Sequence, residues 1–218
     1  DLVLGWSSGA LKYFENNGTA KAPEFIARPG GANPFASIGV HNRSAPALVD
    51  YDNDTDLDLA VGVANGSIVY YQNTGTVKQP EYVLVASTAG PFAFVDVFAN
   101  NAPAFSDLDG DNDPDLLVGG MPKGVGRFFY YENTESATAQ FVAITGNANP
   151  LPFQRYGPSR PTLGDLDGDG DLDLVVGDGE GAFFYYKNVG NATKPVFVDM
   201  YVHDLATCEN VASSGYCQ

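Results

Sequence analysis

The stretch Asp165-Leu166-Asp167-Gly168-Asp169-Gly170-Asp171-Leu172-Asp173-Leu174-Val175-Val176-Gly177 decides how this chain is read. It joins five carboxylates, one at every second residue, to a short apolar run that ends in glycine. The same joint stands at 50–62 and 107–119, and its second half, Asp-Leu-x-x-Gly, stands alone at Asp1–Gly5. The four copies of Asp-Leu-x-x-Gly begin at Asp1, Asp58, Asp115 and Asp173, offset by 57, 57 and 58 residues. A fixed period of that size marks an array of repeated structural units.

Working outward, each copy is followed by an aromatic run ending in Asn. The four runs are Lys12-Tyr13-Phe14-Glu15-Asn16, Tyr70-Tyr71-Gln72-Asn73, Phe129-Tyr130-Tyr131-Glu132-Asn133 and Phe184-Tyr185-Tyr186-Lys187-Asn188. A polar loop and a short apolar stretch come next, at 24–27, 81–85, 140–144 and 196–202. A longer Gly/Pro/Asn-rich connection then carries Pro34-Phe35, Pro91-Phe92 or Pro152-Phe153. Each unit therefore reads as four short strands, here lettered A (45–50, 102–107, 160–165), B (Asp-Leu-x-x-Gly), C (the aromatic run) and D. Runs of four to seven β-branched and aromatic residues between turn residues, with no helical period, define an all-β chain. A four-stranded unit at a fixed period is a β-propeller blade. The expected fold is four blades of about 57 residues, at about 1–44, 45–101, 102–159 and 160–203. The first lacks strand A, and a tail at 204–218 lies outside the repeat.

The A–B loops hold the chemistry. Net charge is −16, yet 15 of the 27 acidic residues lie in the three loops, and the remaining 12 face 11 basic ones. The sets are Asp50, Asp52, Asp54, Asp56 and Asp58; Asp107, Asp109, Asp111, Asp113 and Asp115; and Asp165, Asp167, Asp169, Asp171 and Asp173. Curling such a loop brings the carboxylates of positions 1, 3, 5 and 9 and the carbonyl of position 7 around one centre. That is the all-oxygen shell calcium takes, so up to three Ca²⁺ ions are expected. The loops match the first half of an EF-hand loop, with the Asp at position 9 closing the site in place of a Glu at position 12. Position 6 calls for positive φ and is Gly170, Asn112 or Thr55, which predicts affinity falling in that order. An acidic solvated turn is the plain alternative; three loops in register with a strand repeat weigh against it.

The pattern A-P-x-x-x-D-x-D-x-D-x-D-x-D-L-x-x-G followed by an aromatic strand resembles the FG-GAP/VCBS repeats of integrin-α-like propellers, over about residues 1–200. The same repeats occur in fungal lectins and polysaccharide-active proteins. The resemblance implies a calcium-bound A–B hairpin in each complete blade and a ring that usually has seven blades.

Function is then expected on the opposite rim, where the B–C turns differ between copies: Trp6-Ser7-Ser8, Val63-Ala64-Asn65, Gly120–Gly126 and Asp178-Gly179-Glu180. Trp6 is the candidate ligand-facing aromatic. A protein or glycan ligand fits such a rim. The acidic surface excludes nucleic acid, and no apolar run is long enough to insert in a membrane. The two histidines, His41 and His203, form no recognisable triad, and Asp178 and Glu180 read as turn residues rather than a glycosidase pair, so the chain is not expected to be an enzyme. Sequons at Asn17, Asn42, Asn65 and Asn191, with Asn53 inside a loop, and a disulfide between Cys208 and Cys217 point to a secreted glycoprotein. The expected role is an extracellular adhesion or scaffold module. The alternatives are a lectin and the non-catalytic propeller of a polysaccharide-active enzyme. The incomplete first blade also offers a route to self-assembly, since an unpaired sheet edge invites a partner strand.

Overall fold

Alternation of side chains along a strand sends neighbouring residues to opposite faces, and in this chain both faces are apolar. Strands of that kind must be covered on both sides, which stacked sheets achieve. The computed structural model describes residues 1–200 except 41, 87–89, 94, 96, 98, 135–140, 152, 153, 157 and 158. It is all-β, with four antiparallel sheets arranged as a four-bladed β-propeller.

Blade 1 consists of β1 (Leu2–Gly5), β2 (Leu11–Asn16) and β3 (Phe25–Ala27). Blade 2 is β4 (Ala45–Val49), β5 (Asp58–Gly62), β6 (Ile68–Asn73) and β7 (Tyr82–Val85). Blade 3 is β8 (Ala102–Ser106), β9 (Asp115–Gly120), β10 (Val125–Asn133), β11 (Phe141–Ile144) and β12 (Gln154–Tyr156). Blade 4 is β13 (Arg160–Gly164), β14 (Asp173–Gly177), β15 (Phe183–Asn188) and β16 (Phe197–Asp199). Among the described residues the first sheet has three strands, β1-β2-β3, with no strand A beside β1. The third has five rather than four: β10 extends to Val125, and Val125–Arg127 pair with Tyr156–Gln154 of β12. The longer B–C segment of that repeat gives β10 the extra backbone to pair.

Each blade has a leading face, toward the blade before it, and a trailing face, toward the blade after it. The strand-C pairs split between them. Tyr71 of blade 2 joins Leu59 and Val61 on the leading face, against Leu11, Val3 and Tyr13 of blade 1. Its neighbour Tyr70 joins Ala60 and Ile68 on the trailing face, against Leu116, Val118 and Tyr131 of blade 3. Leu117 and Phe128 of blade 3 meet Leu174, Val176 and Tyr186 of blade 4 in the same way. Tyr70 and Tyr71 are therefore both core residues, one in each of two cores. The D–A connections complete two of these cores. Phe35 stacks on Tyr82 with centroids 5.0 Å apart, and Phe92 stacks on Phe141 at 5.4 Å.

The glycine that ends strand B is fixed by close approach of the next blade. A Cβ on Gly5, Gly62 or Gly119 would lie 1.9, 2.5 or 2.0 Å from the carbonyl oxygen of Ser44, Asn101 or Ser159. That residue stands just before, or within one residue of, the next strand A, and its side chain ties two of the blades together. Ser44 Oγ accepts from the Trp6 N–H at 2.9 Å and donates to the Ala10 carbonyl at 3.1 Å. Asn101 Nδ2 donates to the carbonyls of Gly66 and Ser67 at 2.7 and 2.9 Å.

Candidate functional site

Each A–B hairpin curls because its first carboxylate collects backbone N–H groups from the turn. Asp165 accepts from Gly168 and Gly170 at 2.7 and 3.2 Å, Asp107 from Gly110 and Asn112 at 2.7 and 3.0 Å, and Asp50 from Asp54 and Thr55 at 3.1 and 3.0 Å. Position 6 has positive φ in all three loops, at 79° for Thr55, 74° for Asn112 and 94° for Gly170. Position 4 does too, at Asn53, Gly110 and Gly168, a requirement the aspartate spacing gave no hint of. A left-handed β-branched residue such as Thr55 is strained by about 1–3 kcal/mol.

Curling gathers ligand oxygens. Carboxylates of Asp50, Asp52 and Asp54 converge, as do those of Asp165, Asp167 and Asp169; in the middle loop the converging set is Asp107, Asp109 and Asp115. Within each set one oxygen per residue lies within 4.8 Å of the others. Hard oxygen donors from three carboxylates fit Ca²⁺, and the mutual repulsion of the carboxylates falls when a cation sits among them. Asp56 is turned inward in the first loop, with Oδ1 buried and unpaired among the described residues. Burial, with Asp54, Asp52 and Asp50 adding to it, holds the Asp56 carboxyl above the usual range.

The aspartates at position 9 have a second task. Asp58, Asp115 and Asp173 are buried, and each ties strand B to strand C. The hydroxyls of Tyr70, Tyr130 and Tyr185 donate to them at 2.5, 2.9 and 2.9 Å. The N–H groups of Asn73, Asn133 and Asn188 donate at 2.7, 2.9 and 2.8 Å. Asp1 repeats the arrangement with Tyr13 and Asn16 at 2.7 and 2.8 Å, although no loop precedes it in this sequence. The tyrosine and Asn of the aromatic strand are thus partners of the Asp of Asp-Leu-x-x-Gly. Burial pushes the Asp115 carboxyl up to about 6, against the pull of the hydrogen bonds from Asn133, Leu108 and Tyr130.

Strand C also reaches the loops at the residue before its Asn. Gln72 Nε2 donates to Asp52 at 2.7 Å, and in blade 4 Lys187 pairs with Asp167 and, at 3.4 Å, with Asp169. The ammonium hydrogen bond draws the Asp167 carboxyl below its usual range. The loop of blade 4 thus already holds a cationic group, which its aspartate pattern alone did not reveal.

On the opposite rim the B–C turns of blades 1 and 4 line one cavity of about 400 Å³, with Trp6, Ser7, Arg43, Arg160, Asp178 and Gly179 on its wall. Trp6 is half exposed, but the Lys12 ammonium covers one ring face at 3.9 Å from the centroid. Asn17, Asn42, Asn53, Asn65 and Asn191 are all exposed. His41, His203, Cys208 and Cys217 lie outside the described residues. No helix among the described residues is long and apolar enough to cross a membrane.

Antiparallel blades stacked face to face, with aspartate hairpins aligned along one rim, define an integrin-type β-propeller. A family described as FG-GAP-like repeat matches at residues 50–118 and again at 107–176, and the chain belongs to that family. A stretch of 101 residues, 42% of the chain, is 34% identical to integrin alpha-4 of Xenopus laevis. A stretch of 145 residues, 60% of the chain, is 28% identical to integrin alpha-5 of the same species. The matches cover 10% and 13% of those two proteins, so the chain spans about a tenth of the curated relatives it matches.

Proposed function

We propose that this chain is an extracellular, non-catalytic adhesion or scaffold module whose blades are stabilised by calcium in the three A–B loops. The observation that supports it most is the convergence of three carboxylates in every complete loop, at the same place in each blade. The proposed ligands are Asp50, Asp52, Asp54 and Asp58; Asp107, Asp109, Asp111 and Asp115; and Asp165, Asp167, Asp169 and Asp173, with the carbonyls of Asp56, Asp113 and Asp171. Kinship to integrin alpha chains supports an adhesion role facing a protein ligand.

Calorimetric titration with Ca²⁺ tests the reading, and its pH dependence tests the ligand set. A group whose folded pKa is raised favours the folded, cation-free protein below its unfolded value, and that stability is lost as pH rises through about 6. Calcium needs the ionised form. Affinity at the middle loop should therefore fall about tenfold between pH 7.5 and pH 5, as Asp115 takes up its proton. A chain that binds no calcium at pH 7.5 would refute the proposal.

The rim opposite the loops is the proposed ligand surface, with Trp6, Arg43 and Arg160 presenting an aromatic and two cations in an otherwise acidic chain. Lys12 over the Trp6 ring leaves one face for stacking, which favours a protein contact over a sugar platform. Secretion is carried by the exposed sequons. Asn17 and Asn191, at C–D turns, should carry glycans, while Asn53, held left-handed inside a loop, should stay bare; peptide mapping of native material checks both.

A further inference from the structure

The rim that carries the aspartate hairpins also carries the C–D turns, and the turn of blade 4 touches the loop of blade 3. A Cβ on Gly110 would lie 2.3 Å from Thr193 Cγ2 and 3.2 Å from Thr193 Cβ, so Gly110 lies directly under that methyl group. Gly110 is position 4 of loop 107–115, left-handed at φ 84°, and its N–H donates to Asp107 at 2.7 Å. It follows Asp109 in the chain, and Asp107, Asp109 and Asp115 are the carboxylates that converge.

The turn that presents Thr193 is tied down by its own asparagines. Asn188 Oδ1 accepts from the N–H groups of Gly190 and Val196 at 2.9 and 3.0 Å, and its N–H donates to Asp173 at 2.8 Å. Asn191 Oδ1 accepts from the Thr193 N–H, the Thr193 hydroxyl and the Lys194 N–H at 3.1, 3.0 and 3.0 Å. The turn itself does not call for threonine. Blades 1 and 2 carry the same Asn-x-Gly-x-x-x-x-Pro pattern at 16–23 and 73–80, with Lys21 and Lys78 in that place. The Thr193 hydroxyl therefore serves its own turn, and its methyl group meets the neighbouring loop.

An unfilled loop holds carboxylates that repel one another, so opened forms compete with the curled one. A cation binds in proportion to the fraction of molecules already curled. A neighbour resting on the turn raises that fraction without touching the cation. We propose that Thr193 is a positioning residue for the calcium site of blade 3. Through its methyl group on Gly110, the C–D turn of blade 4 holds loop 107–115 in its binding form. The inference rests on the calcium reading of that loop. Linkage makes the effect mutual, so calcium in blade 3 also strengthens the docking of blade 4.

A calcium titration of the full chain, made without glycans and followed by NMR of the backbone amides, tests this. The Asn112 and Gly170 amides, each bonded to the first aspartate of its loop, report the two sites separately. Thr193→Ser removes the methyl group and keeps the hydroxyl, while Thr193→Val does the reverse. Thr193→Ser should weaken binding at loop 107–115 by about three- to tenfold, and Thr193→Val by less than about twofold. Loop 165–173 should hold its affinity in Thr193→Ser. The melting temperature of Thr193→Ser should fall further below wild type in calcium than in excess chelator. An equal fall in both would mean simple packing and overturns the proposal. So does a wild-type chain that binds calcium with Thr193→Ser unchanged, or with Thr193→Val as damaging as Thr193→Ser. A wild-type chain that binds no calcium overturns both this inference and the reading beneath it.

Discussion

Excess chelator should lower the melting temperature of the chain by about 10 °C or more. A cation held only by the folded state at a hundred times its Kd contributes about 2.7 kcal/mol. For a chain of this size each kcal/mol is worth roughly 2–4 °C, so a single filled loop is enough to give a visible shift. Differential scanning calorimetry with and without Ca²⁺ measures it, and superimposed curves would remove the case for calcium. The order of the sites is a sharper matter. Glycine at position 6 ranks loop 165–173 first, and Thr55 ranks loop 50–58 last. Lys187 opposes the first of these ranks, because a cation entering between Asp167 and Asp169 must displace its ammonium group. The middle loop, where Glu132 occupies the equivalent place on strand C, is therefore expected to bind most tightly. Lys187→Gln should strengthen loop 165–173 and move it ahead.

Why Lys187 escaped sequence reading, while Gly170 did not, shows where such reading stops. Asp-Leu-x-x-Gly, the aromatic strand and the aspartate loop are each local patterns, and their 57-residue recurrence specifies blades without knowledge of any contact. Lys187 and Asp167 are 20 residues apart and meet only when β15 pairs with β14 and the hairpin curls back. The Asp58–Tyr70–Asn73 link has the same character: alternation placed Tyr70 on a face, but its hydroxyl partner depended on register. Boundaries between blades were harder still. Phe35 and Phe92 stood out only as repeated Pro-Phe pairs, and their role in filling the wedge between sheets follows from the angle at which blades stack. The fifth strand of blade 3 lay in a connection whose composition read as loop.

The glycines of Asp-Leu-x-x-Gly give the largest expected mutational contrast. Gly119→Ala puts a methyl 2.0 Å from the Ser159 carbonyl oxygen, 2.8 Å from its carbon and 2.9 Å from Pro161 Cδ. The first two are backbone atoms at the start of the innermost strand of blade 4, so they cannot rotate away; the two blades must part or the strand must bend. Overpacking of that kind costs about 3 kcal/mol, and the loss of the close-packed wall between Leu117 and Leu174 would add to it. Gly177→Ala is the same substitution at the same place in the repeat, yet among the described residues its methyl would lie no nearer than 3.7 Å to any atom, the nearest being on Phe183 of its own blade. That is ordinary contact, and alanine in a strand costs less chain entropy than glycine, so the change should fall between neutral and about 0.5 kcal/mol of added stability. Urea unfolding of the two variants measures the difference. Equal losses would mean that this glycine serves the strand itself. A loss confined to Gly119→Ala would mean that it serves the neighbouring blade.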